Sequence, residues 1–245
     1  MASEEVAGAV DPASNPYGLG ALIEHGTATS YVILGVLLIM SLGTWWIFFT
    51  KFWDQYRLNK SARNVERNFW AAASAREGAE RLPKGDDFRV IAESAIRAAG
   101  HHEGRLSDRV SMREWLDMAL TRSVDALNSK LSGGLSFLAT VGSTAPFVGL
   151  MGTVYGILVA LIKIGLSGQP SIDQVAGPVG EALIMTFIGL VVAVPAVIAY
   201  NVLLKRNKAI QDVLREFTGD LEANLIGGLR PDVGAHQAAP TAVKK

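Results

Sequence analysis

The chain has 245 residues, with 23 basic and 23 acidic side chains and no cysteine. The balanced charge gives no indication of nucleic acid as a partner, and without cysteine no disulfide, thiolate metal site or thiol nucleophile can form. Three stretches are uncharged, at residues 26–50, 131–162 and 182–204. Each is longer than the roughly 20 apolar residues that a helix needs to cross a bilayer. The sequence therefore predicts an all-α integral membrane protein with three transmembrane helices extended by cytoplasmic helices.

The first part of the chain is predicted to form an N-terminal segment (1–25) and the first transmembrane helix (26–50). Acidic side chains precede this helix, and basic side chains follow it from Lys51 onward. The cytoplasmic flanks of membrane helices carry an excess of Lys and Arg. The pattern therefore places residues 1–25 in the periplasm and residues 51–130 in the cytoplasm.

Residues 51–130 are rich in Ala, Arg, Glu and Leu, which favours a cytoplasmic helical region. Pro and Gly predict breaks at 82–87 and 98–104. The last helix of this region is predicted over 107–131, with Ser107 as its N-cap, and is expected to lead directly into the second transmembrane helix.

His101, His102 and Glu103 form the one cluster of residue types that bind metals. Adjacent residues do not face one another on a helix, and matching ligands are missing nearby in the sequence, so a solvated loop is the preferred interpretation. Nothing in the sequence is typical of a nucleophile–base pair or a phosphate loop. Neither an enzyme nor a cofactor is therefore expected.

The second and third transmembrane helices are predicted over 131–163 and 179–204. A short link (164–178) joins them. It is predicted to be periplasmic because it holds few charges. A further cytoplasmic helix (205–228), with one apolar face at helical spacing, and a disordered tail (229–245) complete the chain.

A stripe of small residues runs along one face of each of these two helices. Lipid-facing surfaces have no need of small residues, whereas close contacts between membrane helices require them. The stripes are therefore predicted to pack against protein or to line a narrow lumen. The residues assigned to helix packing are Gly142, Gly149, Gly156, Gly189 and Ala193.

Each stripe also holds one threonine near mid-depth, Thr153 or Thr186, and Glu181 lies at the outer end of the third helix. A threonine hydroxyl in a membrane helix often bonds back to the carbonyl one turn earlier, so this interpretation competes with a functional one. An ionisable group in a membrane segment indicates function, but near the interface Glu181 can instead satisfy nearby helix ends. Pro146 and Pro195 each remove a backbone hydrogen bond and predict local bends.

Two segments, "LATVGSTAPFVGLMGTVYGI" (138–157) and "GPVGEALIMTFIGLVVAVPAVIAYN" (177–201), resemble the signature membrane segments of the ExbB/TolQ/MotA family of proton-channel subunits. The resemblance covers both motifs, their order, the three crossings and the chain length. "GSTAPFVGL" is more similar to the ExbB branch than to the TolQ branch. Tyr155 stands where a Trp is usual, and the MotA branch differs in having four crossings.

The resemblance implies a homopentamer in the bacterial inner membrane that encloses transmembrane helices of ExbD. Such a complex uses the proton gradient to energise TonB for uptake of siderophores and vitamin B12. The family's polar pore-lining positions carry over to Thr153 and Thr186, its outer glutamate carries over to Glu181, and its protonatable aspartate belongs to the ExbD helix. Two alternatives stay open: a TolQ-type subunit acting through TolR and TolA, and a passive membrane scaffold.

Overall fold

A computed structural model describes residues 26–101, 110–167 and 172–228. Every regular element within these ranges is helical, in agreement with the predicted all-α class. A π-helical segment, Val65–Phe69, follows the first α-helix. The α-helices are α1 (Ala28–Asn64), α2 (Ala75–Arg81), α3 (Asp87–Gly100), α4 (Met112–Ser132), α5 (Leu135–Ser167) and α6 (Ile172–Gly227).

Three stretches of helix are long and apolar enough to cross a membrane: Ala28–Phe69, Met112–Leu166 and Val175–Gly227. Only 17%, 17% and 39% of their most apolar windows are buried within the chain. Large side chains such as Trp46 and Phe147 are 73% and 69% exposed. Apolar area of this extent is costly in water and inexpensive in lipid or against another chain. The predicted three-crossing architecture therefore agrees with the structure in length and composition.

The chain divides into two compact units, each with its own core. The apolar unit comprises the described parts of Met1–Phe48 and Gly134–Asn201, and the charged unit comprises those of Phe49–Gly133 and Val202–Lys245. In the apolar unit, side chains of α1, α5 and α6 meet in one cluster. Its buried members are Ile33, Leu37, Val141, Ala145, Met185, Val192, Ala193 and Ala196.

The core of the charged unit gathers large apolar side chains from the π-helical segment, α3, α4 and α6. The ring of Phe217 has its centroid 5.3 Å from those of both Phe69 and Phe88, in edge-on geometry. Edge-on pairs of this kind stabilise a core beyond the area that they bury. The apolar face predicted for the helix at 205–228 thus packs into this core.

Side-chain caps begin the three shorter helices of the charged unit. The cap residues Ser74, Asp86 and Ser111 accept hydrogen bonds from the backbone N–H of Glu77, Phe88 and Glu114 at 3.3, 2.9 and 3.2 Å. Such bonds satisfy N–H groups that have no partner within the helix. The prediction of Ser107 as the cap of α4 is wrong, because Ser111 caps it four residues later; Ser107 itself lies outside the described residues.

Two glycines separate α4 from α5. Gly133 ends α4, and Gly134 has a φ angle of +85°, a left-handed conformation that favours glycine. A Cβ on Gly134 would also lie 2.8 Å from Cγ2 of Ile47. The helix predicted to lead directly into the second crossing is therefore interrupted, since no α-helix continues through a left-handed residue. At the end of α4, Nζ of Lys51 donates to the carbonyl of Lys130 at 2.8 Å.

The helices on either side of the predicted periplasmic link are longer than the sequence predicts. α5 continues to Ser167 and α6 begins at Ile172, so most of the predicted link at 164–178 is helical. Lys163 ended the predicted span because it is charged, but lysine is a good helix former and does not stop a helix. Pro178 lies inside α6 as well.

Candidate functional site

The small residues of α5 and α6 bring the two backbones into direct contact. A Cβ on Gly149 would lie 2.8 Å from the carbonyl oxygen of Met185, and a Cβ on Gly189 would lie 2.8 Å from that of Ala145. Neither position has room for a side chain, since the obstructing atoms belong to backbone. The two glycines thus set the distance between the helices at the middle of the apolar unit.

Two other residues assigned to packing, Gly142 and Gly156, lie along the same interface. A Cβ on Gly142 would lie 2.6 Å from Cγ2 of Val197, and a Cβ on Gly156 would lie 2.8 Å from Cβ of Ala182. Ala193 is 4% exposed and belongs to the core cluster. The two small-residue stripes therefore face each other within a single chain.

Close contact of the backbones brings Thr153 and Thr186 together. Their hydroxyls form a hydrogen bond across the helix interface. Oγ1 of Thr153 also donates to the carbonyl of Ala182 on α6 at 3.0 Å, and the carbonyl of Gly149 lies 3.4 Å from both hydroxyls. Both threonines are half-buried. The pair is a polar contact between two apolar helices.

This geometry differs from that of two other threonines in the apolar helices. Thr144 on α5 and Thr44 on α1 donate to carbonyls four residues earlier in their own helices, at 2.7 and 2.8 Å. That is the ordinary arrangement for a threonine in an apolar helix. For Thr153, the carbonyl of its own helix is the more distant acceptor. The interhelical arrangement therefore sets Thr153 and Thr186 apart from threonines that bond back.

Glu181 lies on α6 five residues before Thr186, which corresponds to roughly 7.5 Å along the helix. Its Oε1 atom is buried and has no hydrogen-bond partner among the residues that the structure describes. The carboxylate lines a cavity of about 30 Å³ with residues of α1 and α5. Within the described helices, Oε1 therefore accepts no hydrogen bond from a helix end.

Sequence reasoning missed a buried amide pair in the charged unit. Gln55 and Asn207 are 1% and 3% exposed. Nε2 of Gln55 donates to Oδ1 of Asn207 at 2.6 Å and to the carbonyl of Leu203 at 3.0 Å, and Nδ2 of Asn207 donates to the carbonyl of Leu131 at 3.1 Å. The last bond satisfies a carbonyl in the final turn of α4, where the helix itself provides no donor.

One signal in the sequence points to Asn207. It lies at helical spacing between two residues of the buried face of α6, Leu203 and Ile210. A polar residue on an otherwise apolar face predicts a buried hydrogen bond. Its partner Gln55 is 152 residues away in the chain, and no local pattern identifies it.

The structure gives no support for a metal centre in the parts of the chain that it describes. No group of three or more His, Asp or Glu side chains that can hold a metal ion occurs at 26–101, 110–167 or 172–228. His101 lies at the end of α3, where its ring nitrogen is 2.7 Å from the carbonyl of Arg97. His102 and Glu103 lie outside these ranges.

Residues 89–216 match the family described as the MotA/TolQ/ExbB proton channel family. The matched stretch contains the contact between α5 and α6, both threonines of the interhelical pair and Glu181. It covers more than half of the chain.

Similar proteins from three bacteria cover most of the chain. One named "Biopolymer transport protein ExbB", from Xanthomonas campestris pv. campestris, is 43% identical over 212 residues, which are 83% of this chain and 84% of the relative. Another of the same name, from Neisseria meningitidis, is 34% identical over 213 residues, with 85% and 97% covered. A "Tol-Pal system protein TolQ" from Pseudomonas aeruginosa is 30% identical over 210 residues, with 84% and 91% covered.

The family match begins before α5 and extends through most of α6. With the all-α architecture and three helices capable of crossing a membrane, these matches lead to one assignment. The chain belongs to the MotA/TolQ/ExbB proton channel family.

Proposed function

We propose that the chain is an ExbB-type channel subunit that works with an ExbD-like transmembrane partner. The complex uses the proton gradient to energise a TonB-like partner for outer-membrane uptake of siderophores and vitamin B12. The observation that carries this proposal is the hydrogen-bonded pair Thr153–Thr186, one and a half turns from Glu181, whose Oε1 atom is buried. Polar groups inside apolar helices are costly and indicate a path for ions or protons. The names of two similar proteins, 43% and 34% identical to this chain, support the ExbB branch.

The threonines provide hydroxyls for a carboxyl group that the chain does not itself supply at this depth. Residues 182–204 are uncharged. A hydroxyl can donate to a carboxylate and can accept from a protonated carboxylic acid. Thr153 and Thr186 therefore lower the cost of switching an acidic side chain of the ExbD-like partner between its two protonation states. Glu181 supplies a second polar group on the same path.

The charge pattern and the exposed apolar surface support an orientation and an assembly for the chain. We place the N-terminal segment (1–25) in the periplasm, the charged region (51–130) and the tail (229–245) in the cytoplasm, and the three apolar helices in the bacterial inner membrane. The exposed apolar side chains of these helices provide surface for the lipid bilayer, for further copies of the chain in a homopentamer and for the partner helices.

Co-reconstitution tests the proposal. The chain and an ExbD-like protein are co-expressed, purified and placed in liposomes that contain a pH-sensitive dye. A native mass corresponding to five copies is expected, with gradient-driven proton flux that Glu181→Gln lowers. Normal flux in the Glu181→Gln complex contradicts the assigned path, and a passive membrane scaffold is expected to show no flux at all.

A TolQ-type role is the second candidate, and the match to the TolQ protein of Pseudomonas aeruginosa favours considering it. Such a subunit acts through TolR and TolA on the integrity of the envelope. Complementation separates the two roles. The ExbB-type role predicts restored growth on siderophore-bound iron in cells lacking ExbB, whereas the TolQ-type role predicts restored detergent resistance in cells lacking TolQ.

A further inference from the structure

The cavity beside Glu181 is bounded by three helices of the apolar unit. Its lining includes Glu181 and Pro178 from α6, Gly156 from α5, and Thr27 and Ser30 at the start of α1. A cavity needs roughly 10–15 Å³ and two to four polar partners to hold one water molecule. With a volume of about 30 Å³, this cavity satisfies the first condition.

Thr27 and Ser30 have two hydroxyl protons between them, and the hydrogen bond that joins the two hydroxyls uses only one. Their Oγ atoms are 2.7 Å apart, so one proton lies between them, and the backbone N–H of Ser30 donates to Oγ1 of Thr27 at 3.3 Å. Whichever hydroxyl donates, the proton of the other has no acceptor among the described residues. Ser30 is 2% exposed and Thr27 is half-buried. The pair therefore presents an unused donor to the cavity that both residues line.

Glu181, by contrast, has an acceptor that lacks a donor. Its Oε1 atom is a buried acceptor without a donor in the described part of the chain. No direct hydrogen bond joins Glu181 to Thr27 or Ser30, although all three line the same cavity. A water molecule between them accepts from the hydroxyl pair and donates to Oε1, which satisfies both groups at once. A buried donor or acceptor left without a partner keeps its full desolvation penalty, so the water stabilises both groups.

We propose that this cavity is a water-binding site in which the Thr27–Ser30 pair positions a water molecule against Glu181. The first transmembrane helix then contributes directly to the polar end of the channel, through hydroxyls rather than through charge. The water site rests on the geometry alone, and its part in proton entry rests on the proposed function. Thr27 and Ser30 are positioning residues that act through the water on the carboxylate.

Two other groups that titrate line the cavity from α5, the phenol of Tyr155 and the ammonium of Lys163. The side chain of Lys163 is exposed, and Tyr155 is half-buried. Neither forms an ion pair or hydrogen bond with Glu181 in the described structure. Ser30 is more buried than either of these groups, so the Thr27–Ser30 pair is the donor that we assign to the water.

Radiolytic footprinting of the full chain in lipid nanodiscs tests for the water. Hydroxyl radicals produced from a bound water oxidise the side chains next to it, and Met185 lines this cavity although it is only 2% exposed. We expect rapid oxidation of Met185 in the wild type and several-fold slower oxidation in the double variant Thr27→Val/Ser30→Ala. If Met185 is not oxidised in the wild type, the water site is ruled out. This result does not depend on the folding of any variant.

Infrared spectroscopy tests the bond to Glu181. The carbonyl band of the protonated carboxyl group, identified by its loss in Glu181→Gln, is expected to shift to higher frequency in the double variant because a hydrogen bond is lost. The exchange variant Thr27→Ser/Ser30→Thr retains both hydroxyls and is expected to leave the band in place. An unchanged band in the double variant contradicts the proposal.

Thr44→Val is the matched control. Thr44 is also 2% exposed on α1, but its hydroxyl donates to the carbonyl of Met40 and is satisfied locally. Loss of this hydroxyl is expected to change neither the oxidation of Met185 nor the Glu181 band. If the double variant changes both the oxidation of Met185 and the Glu181 band, the water site is supported. Unchanged proton flux in Glu181→Gln would then contradict the proposed function but not the water site.

Discussion

Gly149 and Gly189 exclude side chains from each other's position. A Cβ on Gly149 would lie 3.2 Å from the Cα of Gly189, and a Cβ on Gly189 would lie 3.0 Å from the Cα of Gly149. Because the contact is between backbones, no change of rotamer relieves a clash there. This reciprocal contact holds α5 and α6 at the separation that the threonine pair requires.

Gly149→Ala is expected to destabilise the apolar unit although alanine is the better helix former. The propensity gain is about 1 kcal/mol, whereas overfilling a close contact costs about 1–3 kcal/mol. Gly35→Ala on α1 is the control, since a Cβ there meets nothing within 4 Å. The stability of both variants is measured by thermal unfolding in detergent. Equal stability of the two variants would contradict the close contact of Gly149 with α6. The larger Gly149→Leu and Gly189→Leu changes are expected to abolish assembly of the oligomer.

Thr186→Val, and to a lesser degree Thr153→Val, is expected to yield normal amounts of complex with impaired proton flux. Valine keeps nearly the volume of threonine but has no hydroxyl, and a side-chain hydrogen bond between membrane helices averages only about 0.6 kcal/mol. Serine at either position retains the hydroxyl and is expected to preserve flux. Flux through the complex in dye-loaded liposomes is the measurement.

Thr144→Val provides the matched control for the threonine pair. It removes a hydroxyl from the same helix, but one that bonds back to the carbonyl of Thr140. Flux is expected to be normal in this variant. If the double variant Thr153→Val/Thr186→Val also conducts normally, the pair contributes packing alone.

Asn207→Leu is expected to destabilise the charged unit by about 1–3 kcal/mol, since it leaves buried polar groups without partners. The double variant Gln55→Met/Asn207→Leu removes both amides and is expected to recover most of that loss. It also eliminates Oε1 of Gln55, a buried acceptor that has no partner in the described helices. Additive losses in the double variant argue against coupling. Asn201→Ala, at an exposed amide, is the control and is expected to change stability by less than about 0.5 kcal/mol.

Glu77 gives the start of α2 a dependence on pH. The backbone N–H of Ala73, together with the hydrogen bond and charge of Arg81, holds the pKa of Glu77 below its ordinary value of 4.5. The ionised carboxylate therefore stabilises α2 fully above pH 4.5, and this contribution is lost as the pH falls through the folded pKa. Glu77→Gln is expected to speed amide exchange in α2 at neutral pH, with the difference from wild type vanishing in acid. Glu80→Gln, on the same helix, is the control, and an equal effect there contradicts this assignment.

The proposed orientation predicts opposite labelling of two engineered cysteines. The chain has no native cysteine, so each variant carries a single thiol. A membrane-impermeant thiol reagent is expected to label Ser14→Cys in intact spheroplasts, and to label Lys84→Cys only after the membrane is opened. The reverse pattern rules out the orientation.

Properties that depend on local sequence were predictable from it. Runs without charge identify the membrane helices, and the spacing of small residues identifies the face that holds Gly149 and Thr153. Partners far apart in the chain were not predictable, because no local pattern says which turns meet. Ser30 and Glu181 line one cavity although about 150 residues separate them in the chain. The hydrogen-bonded residues Gln55 and Asn207 are similarly far apart.

The close contact of α5 and α6 restricts where related chains can gain or lose residues. Thr153 follows its contact glycine by four residues, and Thr186 precedes its own by three. One residue added or removed within either interval turns the threonine by about 100° around its helix and moves it out of reach of the other. Alignments of related chains are therefore expected to be free of gaps between 149 and 153 and between 186 and 189, even where the residues themselves differ.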